Sequence, residues 1–256
     1  MIVERGLAES REKAQALIMA GVVYVAGERV EKPGQRVRVD QDILITERMP
    51  YVSRGGLKLE GALEAFSVSV EQRVAADLGV STGGFTDCLL QRAARKVYAV
   101  DVDTRQVDWR LRKDPRVVLI EKNARYLTRE DFDESPEVVT VDLSFISVLK
   151  VLPAVRMFLE DGDVVALIKP QFEAGRRRVG KKGVVKDPSV HQDVLERVIE
   201  QAEKLGFRMR GLVRSPIRGQ KGNREFFLLW SLKGPSLPLE KREQSLKEAV
   251  WNEKDG

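Results

Sequence analysis

Cysteine and histidine are almost missing from this sequence: Cys88 and His191 are each the sole residue of their kind. A lone cysteine excludes an internal disulfide and any thiolate cage around a metal, and a lone histidine removes the usual general base and metal ligand. No metal site is expected. No apolar run approaches the roughly 18 residues that a membrane helix needs. The opening "MIVERGLAES" has no basic stretch followed by an apolar core and a small-residue cleavage site. The expectation is a cytoplasmic protein with no membrane partner. Aromatics are scarce at 6%, but 43% hydrophobic and 32% charged residues describe a globular chain rather than a disordered or fibrous one.

Charge of neither sign is scarce, and the net of +5 says less than where the charge lies. Between Ala174 and Lys186, "AGRRRVGKKGVVK" has six Lys or Arg, three Gly and no acid. Arg176, Arg177, Arg178, Lys181 and Lys182 are therefore candidates for phosphate contacts that carry no base sequence. A solvated surface loop is the alternative.

A chain of 256 residues accommodates one α/β unit and a small partner. In "SREKAQALIMA", Ala14, Leu17 and Ile18 share a helical face, with Ser10 as N-cap and Gly21 as stop. "VVYVAGERV", turning at Ala26 and Gly27, then "VRVD" and "DILIT", predict short strands. This first unit covers 1–47. "RMPYVSRGG" mixes Pro, Ser and paired Gly, which predicts a linker over 48–56. Next come the apolar β-branched runs "VAADLGV", "KVYAVDV", "VVLIEK", "EVVTVDLSF" and "VVALIKP", separated by helix-length stretches, as in a parallel sheet buried on both faces. The helix "SVHQDVLERVIEQAEKLGF" precedes "FRMRGLVRSPIRG" and "REFFLLWSLK", two strands with no helix between them. The fold class is thus α/β: a Rossmann-like, mostly parallel seven-stranded sheet with an antiparallel hairpin over 57–233, behind a small α+β unit. The remainder, 234–256, reads as a charged tail, helical or disordered.

The turn "DLGVSTGGFTD" follows the first strand of that sheet, where open α/β sheets bind ligands. Asp77, Gly79, Ser81, Thr82, Gly83, Gly84 and Phe85 are candidates to hold a nucleoside cofactor, with Asp101 after "YAV" placed for a ribose diol. The spacing G-x-x-x-G-G departs from the dinucleotide pattern G-x-G-x-x-G, which favours S-adenosylmethionine over a nicotinamide cofactor. A ligand-free tight turn is the remaining alternative. Asp142 and Lys169 close "VVTVD" and "VVALIK", two neighbouring strands, so a carboxylate and an amine should reach one rim. Cys88, on the helix after the turn, reads as packed rather than nucleophilic. "DLSF" stands where base amino-group methyltransferases carry Asp/Asn-Pro-Pro-aromatic.

Together, "YVSRGGLKLEGALE", "DLGVSTGGFTDCLLQRAARKVYAVDV", "VDLSFISV", "VVALIKPQFEAGR", "GKKGVVKDP" and "SPIRGQKGNREFFLLW" closely resemble the TlyA (haemolysin A) family. That resemblance implies a ribosomal RNA ribose 2′-O-methyltransferase, acting on cytidine, with an S4-type RNA-binding domain in front. "ESREKAQALIMAGVVYVAGERV" is similar to the S4-type helix and hairpin, here with a shortened first helix and "VAG" in place of an Asn-Gly turn. It implies a catalytic set of Lys58, Asp142, Lys169 and Glu225, cofactor contacts that include Asn123 and Asp142, and RNA contacts from Arg11 and Lys13. S-adenosylmethionine is the implied cofactor, and ribosomal RNA or a ribosomal subunit the implied partner of a monomer. A free lysine is protonated at neutral pH. Lys169 therefore serves as general base only if delivered neutral, and otherwise orients the hydroxyl and offsets oxyanion charge. A non-enzymatic ribosome-assembly factor and a membrane-lytic protein are the rival readings.

Overall fold

The computed structural model describes residues 1–252 except 20, 27, 31, 39–40, 42, 46–49 and 181. The chain divides into two compact units, Met1–Pro50 and Tyr51–Gly256.

The first unit holds α1 (Arg11–Met19) and three short strands, β1 (Val23–Val25), β2 (Glu28–Arg29) and β3 (Ile43–Ile45), in the antiparallel order β2-β1-β3. Ser10 accepts the Lys13 backbone N–H at 3.1 Å as the expected N-cap, and Gly21 ends the helix at φ +72. Ile18, Val23, Val25 and Val30 form the small core. Val37 and Arg38, expected in a strand, lie outside regular structure; the rest of "VRVD" is outside the described residues.

The second unit contains α2 (Arg54–Phe66), β4 (Val74–Leu78), α3 (Gly84–Gln91), β5 (Lys96–Asp101), α4 (Trp109–Lys113), β6 (Val117–Glu121), β7 (Val138–Val141), α5 (Leu152–Phe158), β8 (Asp163–Ile168), α6 (Pro170–Glu173), α7 (Pro188–Lys204), β9 (Arg208–Arg214), β10 (Phe226–Ser231) and α8 (Leu239–Trp251). The sheet order is β6-β5-β4-β7-β8-β10-β9. The first five strands are parallel, and β10 is antiparallel to both neighbours. Alternate residues feed two cores. Ala76, Leu78, Val100 and Val139 pack with α5, α7 and α8, whereas Ala75, Ala99, Val165 and Leu167 pack with α2 and α3. That double burial is why these strands read as unbroken apolar runs.

Two boundaries differ from the sequence reading. From Tyr51 onward, the stretch expected as linker already belongs to the second unit. Tyr51 is buried, its hydroxyl donates to Glu60 at 2.7 Å, and Arg54–Gly56 form the first turn of α2. The paired glycines that suggested flexibility instead allow close packing, since a Cβ on Gly56 would overlap the Tyr51 ring. The charged tail is likewise structural. α8 buries Leu246, Ala249 and Val250, and Arg214 Nε donates to the Ala249 carbonyl at 2.9 Å. Among the described residues no helix is long and apolar enough to cross a membrane.

Leu246→Ala should therefore destabilise the second unit by about 2 kcal/mol, read from urea unfolding monitored by far-UV circular dichroism. A loss near zero would mean that α8 contributes nothing to the core.

Candidate active site

Strands β4 to β8 end at one edge of the sheet, and β10 begins there because it runs the other way. The strand order reverses between β4 and β7, which opens a crevice at that edge. Gly79 leaves β4 at φ +94, and a Cβ there would stand 2.5 Å from the Asp142 carbonyl oxygen at the end of β7. Only glycine permits that approach.

Asp142, Lys169, Lys58 and Glu225 gather at this edge. Lys169 Nζ lies 2.6 Å from Asp142 Oδ1. The approach is angled rather than linear, so buried Oδ1 gains charge pairing without an aligned hydrogen bond. Lys169 also donates to Ser144 Oγ at 3.3 Å. Glu225, one residue before Phe226, lies opposite Lys169 in the register that pairs Phe226 with Ile168. Its Oε2 is 2.5 Å from Lys58 Nζ, the carboxylate side chain being 2% and the ammonium side chain 12% exposed. Gln171 Nε2 reaches Glu225 Oε1 at 3.4 Å and ties the β8 end to the second pair.

Lys58 arrives by way of α2. Leu59, Ala62 and Leu63 turn into the core. A Cβ on Gly84 would lie 3.0 Å from the Gly56 backbone nitrogen and 3.1 Å from the Gly55 Cα, so three glycines let α2 sit directly on the start of α3. Val52 N–H donates to Asp87 of α3 at 2.8 Å and fixes the entry of that helix pair.

At the β5 end, Asp101 Oδ2 accepts the Ser81 N–H at 2.9 Å and Oδ1 the Val102 N–H at 2.7 Å. Ser81 and Thr82 are exposed, and Asn123, past β6, is exposed with its Oδ1 accepting the Arg125 N–H at 3.0 Å. Ser81, Phe145 and Lys221 all carry positive φ, in the loops beside β4, β7 and β10. Phe145, 91% exposed, lies 5.2 Å from the Phe172 ring.

Residues 51–232 match the FtsJ-like methyltransferase family, and residues 1–43 match the S4 domain. The chain belongs to the TlyA family of FtsJ-like methyltransferases. The 16S/23S rRNA (cytidine-2'-O)-methyltransferase TlyA of Mycobacterium tuberculosis is 46% identical over 231 residues, covering 89% of this chain and 86% of that protein. Hemolysin A of Brachyspira hyodysenteriae is 44% identical over 86% of this chain and 93% of its own. A solved Streptococcus thermophilus structure that carries a hemolysin name superposes with a TM-score of 0.77 at 45% identity, over 97% of this chain and 92% of that one.

Within this TlyA-family site, four residues expected to touch a cofactor, Asp77, Gly83, Gly84 and Phe85, have side chains or side-chain positions that face protein. Asp77 is fully buried, and its oxygens accept the Thr86 and Thr140 hydroxyls at 2.7 and 2.9 Å. It braces the β4 end from below. Phe85 turns into the core against Phe227, ring centroids 6.1 Å apart. A Cβ on Gly83 would strike Leu111 and one on Gly84 would strike Ser53, so the side-chain positions of these glycines face protein. Cys88 is fully buried, and burial pushes its thiol up to about 12, which suits packing rather than nucleophilic attack. Of the basic residues, Arg11 and Lys13 are exposed on α1, with Lys13 paired to Glu9. Arg176, Arg177 and Arg178 are exposed, with Arg178 held 2.6 Å from Asp193, and Lys182 is exposed. Lys181 is outside the described residues. Ser144, Gln171 and Phe172 were not anticipated; each lies two or three residues from Asp142 or Lys169, so proximity in sequence was the available signal.

Burial, reinforced by the Asp142 charge and opposed by the two threonine hydroxyls, pushes Asp77 from 3.8 up to about 7. The folded state therefore binds this proton more tightly, and the stabilisation it brings is full below 3.8 and lost as pH rises through about 7. The melting-temperature difference between the native chain and Asp77→Asn should shift against the native chain from pH 4 to pH 8; a constant difference would refute the buried-acid assignment.

Proposed function

We propose that this chain transfers a methyl group from S-adenosylmethionine to a ribose 2′-hydroxyl of ribosomal RNA, with cytidine as the nucleotide. The observation that carries the reading is the convergence of two ammonium–carboxylate pairs, Lys169–Asp142 and Lys58–Glu225, at the crevice where the strand order reverses. The TlyA name of the Mycobacterium tuberculosis relative supports the acceptor.

The crevice fits the cofactor. Gly79 brings the turn against Asp142 more closely than any side chain would allow, and Asp101 is held at the rim by the backbone N–H groups of Ser81, Val102 and Asp103, with Oδ2 taking only one of them and so open to a ribose diol. Ser81, Thr82 and Asn123 border the same edge. When bound, S-adenosylmethionine supplies an activated methyl group. The chain has to hold one hydroxyl in line and remove one proton. Lys169 Nζ orients the ribose oxygen, and the departing proton passes to the Lys169–Asp142 pair, whose Oδ1 has no aligned hydrogen bond of its own. Lys58 and Glu225 hold the far side of the site, with Gln171 linking the pairs. The target nucleotide leaves its stack to enter, and the exposed Phe145 beside Phe172 offers it a ring face.

RNA is held in two places, by the S4 domain through Arg11 and Lys13 and by the cationic segment with Arg176, Arg177, Arg178, Lys181 and Lys182. The partner is ribosomal RNA or a ribosomal subunit, met in the cytoplasm by a monomeric chain. A purely RNA-binding factor would have no use for four polar side chains gathered at a cofactor crevice.

Lys169→Ala should lower the transfer rate at least about 100-fold while calorimetric S-adenosylmethionine affinity stays nearly intact; a variant that keeps most of its activity removes Lys169 from the chemistry. Replacing Arg176, Arg177 and Arg178 together with Ala should weaken RNA binding and flatten its log–log salt slope by roughly two units, Arg178 being already paired. An unchanged slope would exclude this segment from phosphate contact.

A further inference from the structure

Two cationic loops meet beside Glu225. One runs from α6 to α7 and carries Arg176, Arg177, Arg178, Lys182 and Lys186; the other runs from β9 to β10 and carries Arg218, Lys221 and Arg224. Loops with this much like charge repel one another and gain nothing by lying together. Yet Lys221 Nζ is 3.8 Å from the place a Cβ would take on Gly183.

What joins them is Asn223, 3% exposed. Its Nδ2 donates to the Gly183 carbonyl at 3.0 Å, and its Oδ1 accepts the Val185 N–H at 3.1 Å. The carboxamide thus replaces a missing stretch of backbone ladder between the loops, and its orientation is set because one partner is an acceptor and the other a donor. Val185 is buried, and its carbonyl is 3.0 Å from His191 Nε2. Within the second loop, the Gly219 N–H donates to the Asn223 carbonyl at 2.9 Å. A Cβ on Gly219 would overlap the Glu225 carboxylate. The same loop therefore passes over the carboxylate that pairs with Lys58.

We propose that Asn223 is a positioning residue for the RNA substrate: it clasps the two cationic loops into one phosphate-facing wall beside Glu225, whose own position is set by Lys58 and Gln171. The proposal rests on the ribosomal RNA reading above. The segment from 175 to 187 contains Gly175, Gly180 and Gly183, and an unclasped loop of that kind would have to be ordered each time RNA binds. The clasp places that ordering in the free protein. Asn was not distinguished in the sequence because nothing local marks it; its two partners lie 38 and 40 residues away.

The test compares Asn223→Ala, which removes both bonds, and Asn223→Asp, which keeps the acceptor and sets an oxygen against the Gly183 carbonyl. Substrate is ribosomal subunits from cells lacking this protein, with labelled S-adenosylmethionine. KM for subunits should rise about tenfold in both variants, with kcat within about threefold and cofactor affinity unchanged, since neither the crevice nor Lys169 is touched. A role in stability alone would lower the melting temperature without this split. KM within twofold of the native chain, in variants that stay folded, overturns the proposal. If neither variant folds, hydrogen exchange on the native protein decides: the Val185 amide should be strongly protected without RNA, and rapid exchange there overturns the clasp. A native chain that methylates no ribosomal RNA refutes the functional reading instead, and the Val185 exchange result stands apart from it.

Discussion

The site depends on a charge pair kept almost out of water. An ammonium and a carboxylate that lose their hydration must recover it from each other and from well-placed neighbours, and removing either partner strands the other at a cost of several kcal/mol. Lys58 and Glu225 meet that condition with 2.5 Å between them and Gln171 on the second carboxylate oxygen. The pair is also a long-range tether, joining the first helix of the second unit to the last strand of its sheet across 167 residues of chain. Lys169–Asp142 lies at the neighbouring strand ends, its carboxylate side chain 22% exposed against 2% for Glu225.

Close backbone approach makes this possible. Gly55 and Gly56 against Gly84, Gly79 against Asp142 and Gly219 against Glu225 are contacts in which a side chain would force the partners apart. The glycines of the turn after β4 therefore act on the crevice mainly by letting protein pack on protein. Asp77 has a comparable part: buried and bonded to Thr86 and Thr140, it braces the floor on which the crevice stands.

Around the pairs the charge changes character. Acids and bases on the outer face of α4 and its neighbours neutralise each other locally, as in Arg105–Asp103 and Arg110–Asp108. The loops beside β10 keep exposed cations with few acids between them. A folded chain that holds such loops in register has something to gain from their combined field, and a polyanion is the partner that repays it. The S4 domain is a separate compact unit with a core of its own.

Strand runs, the α/β class, the antiparallel hairpin and the cationic segment were legible along the chain, because sheet burial and charge clustering leave local patterns. So were Asp142 and Lys169, since each follows an apolar run and must emerge at the strand end. Lys58 and Glu225 became visible only through family resemblance, and Asn223 not at all, for the spacing of a residue along the chain does not say what the far loops bring to it. Composition alone read 48–56 as a linker, although Tyr51–Gly56 are packed in the second unit, and left the last helix undecided, since glycine serves flexibility and tight packing alike. The sequence by itself determined which segments are buried and which carry charge; only the tertiary structure decided which charges meet, because pairing across distant residues is a matter of distance and desolvation that arises when the sheet closes.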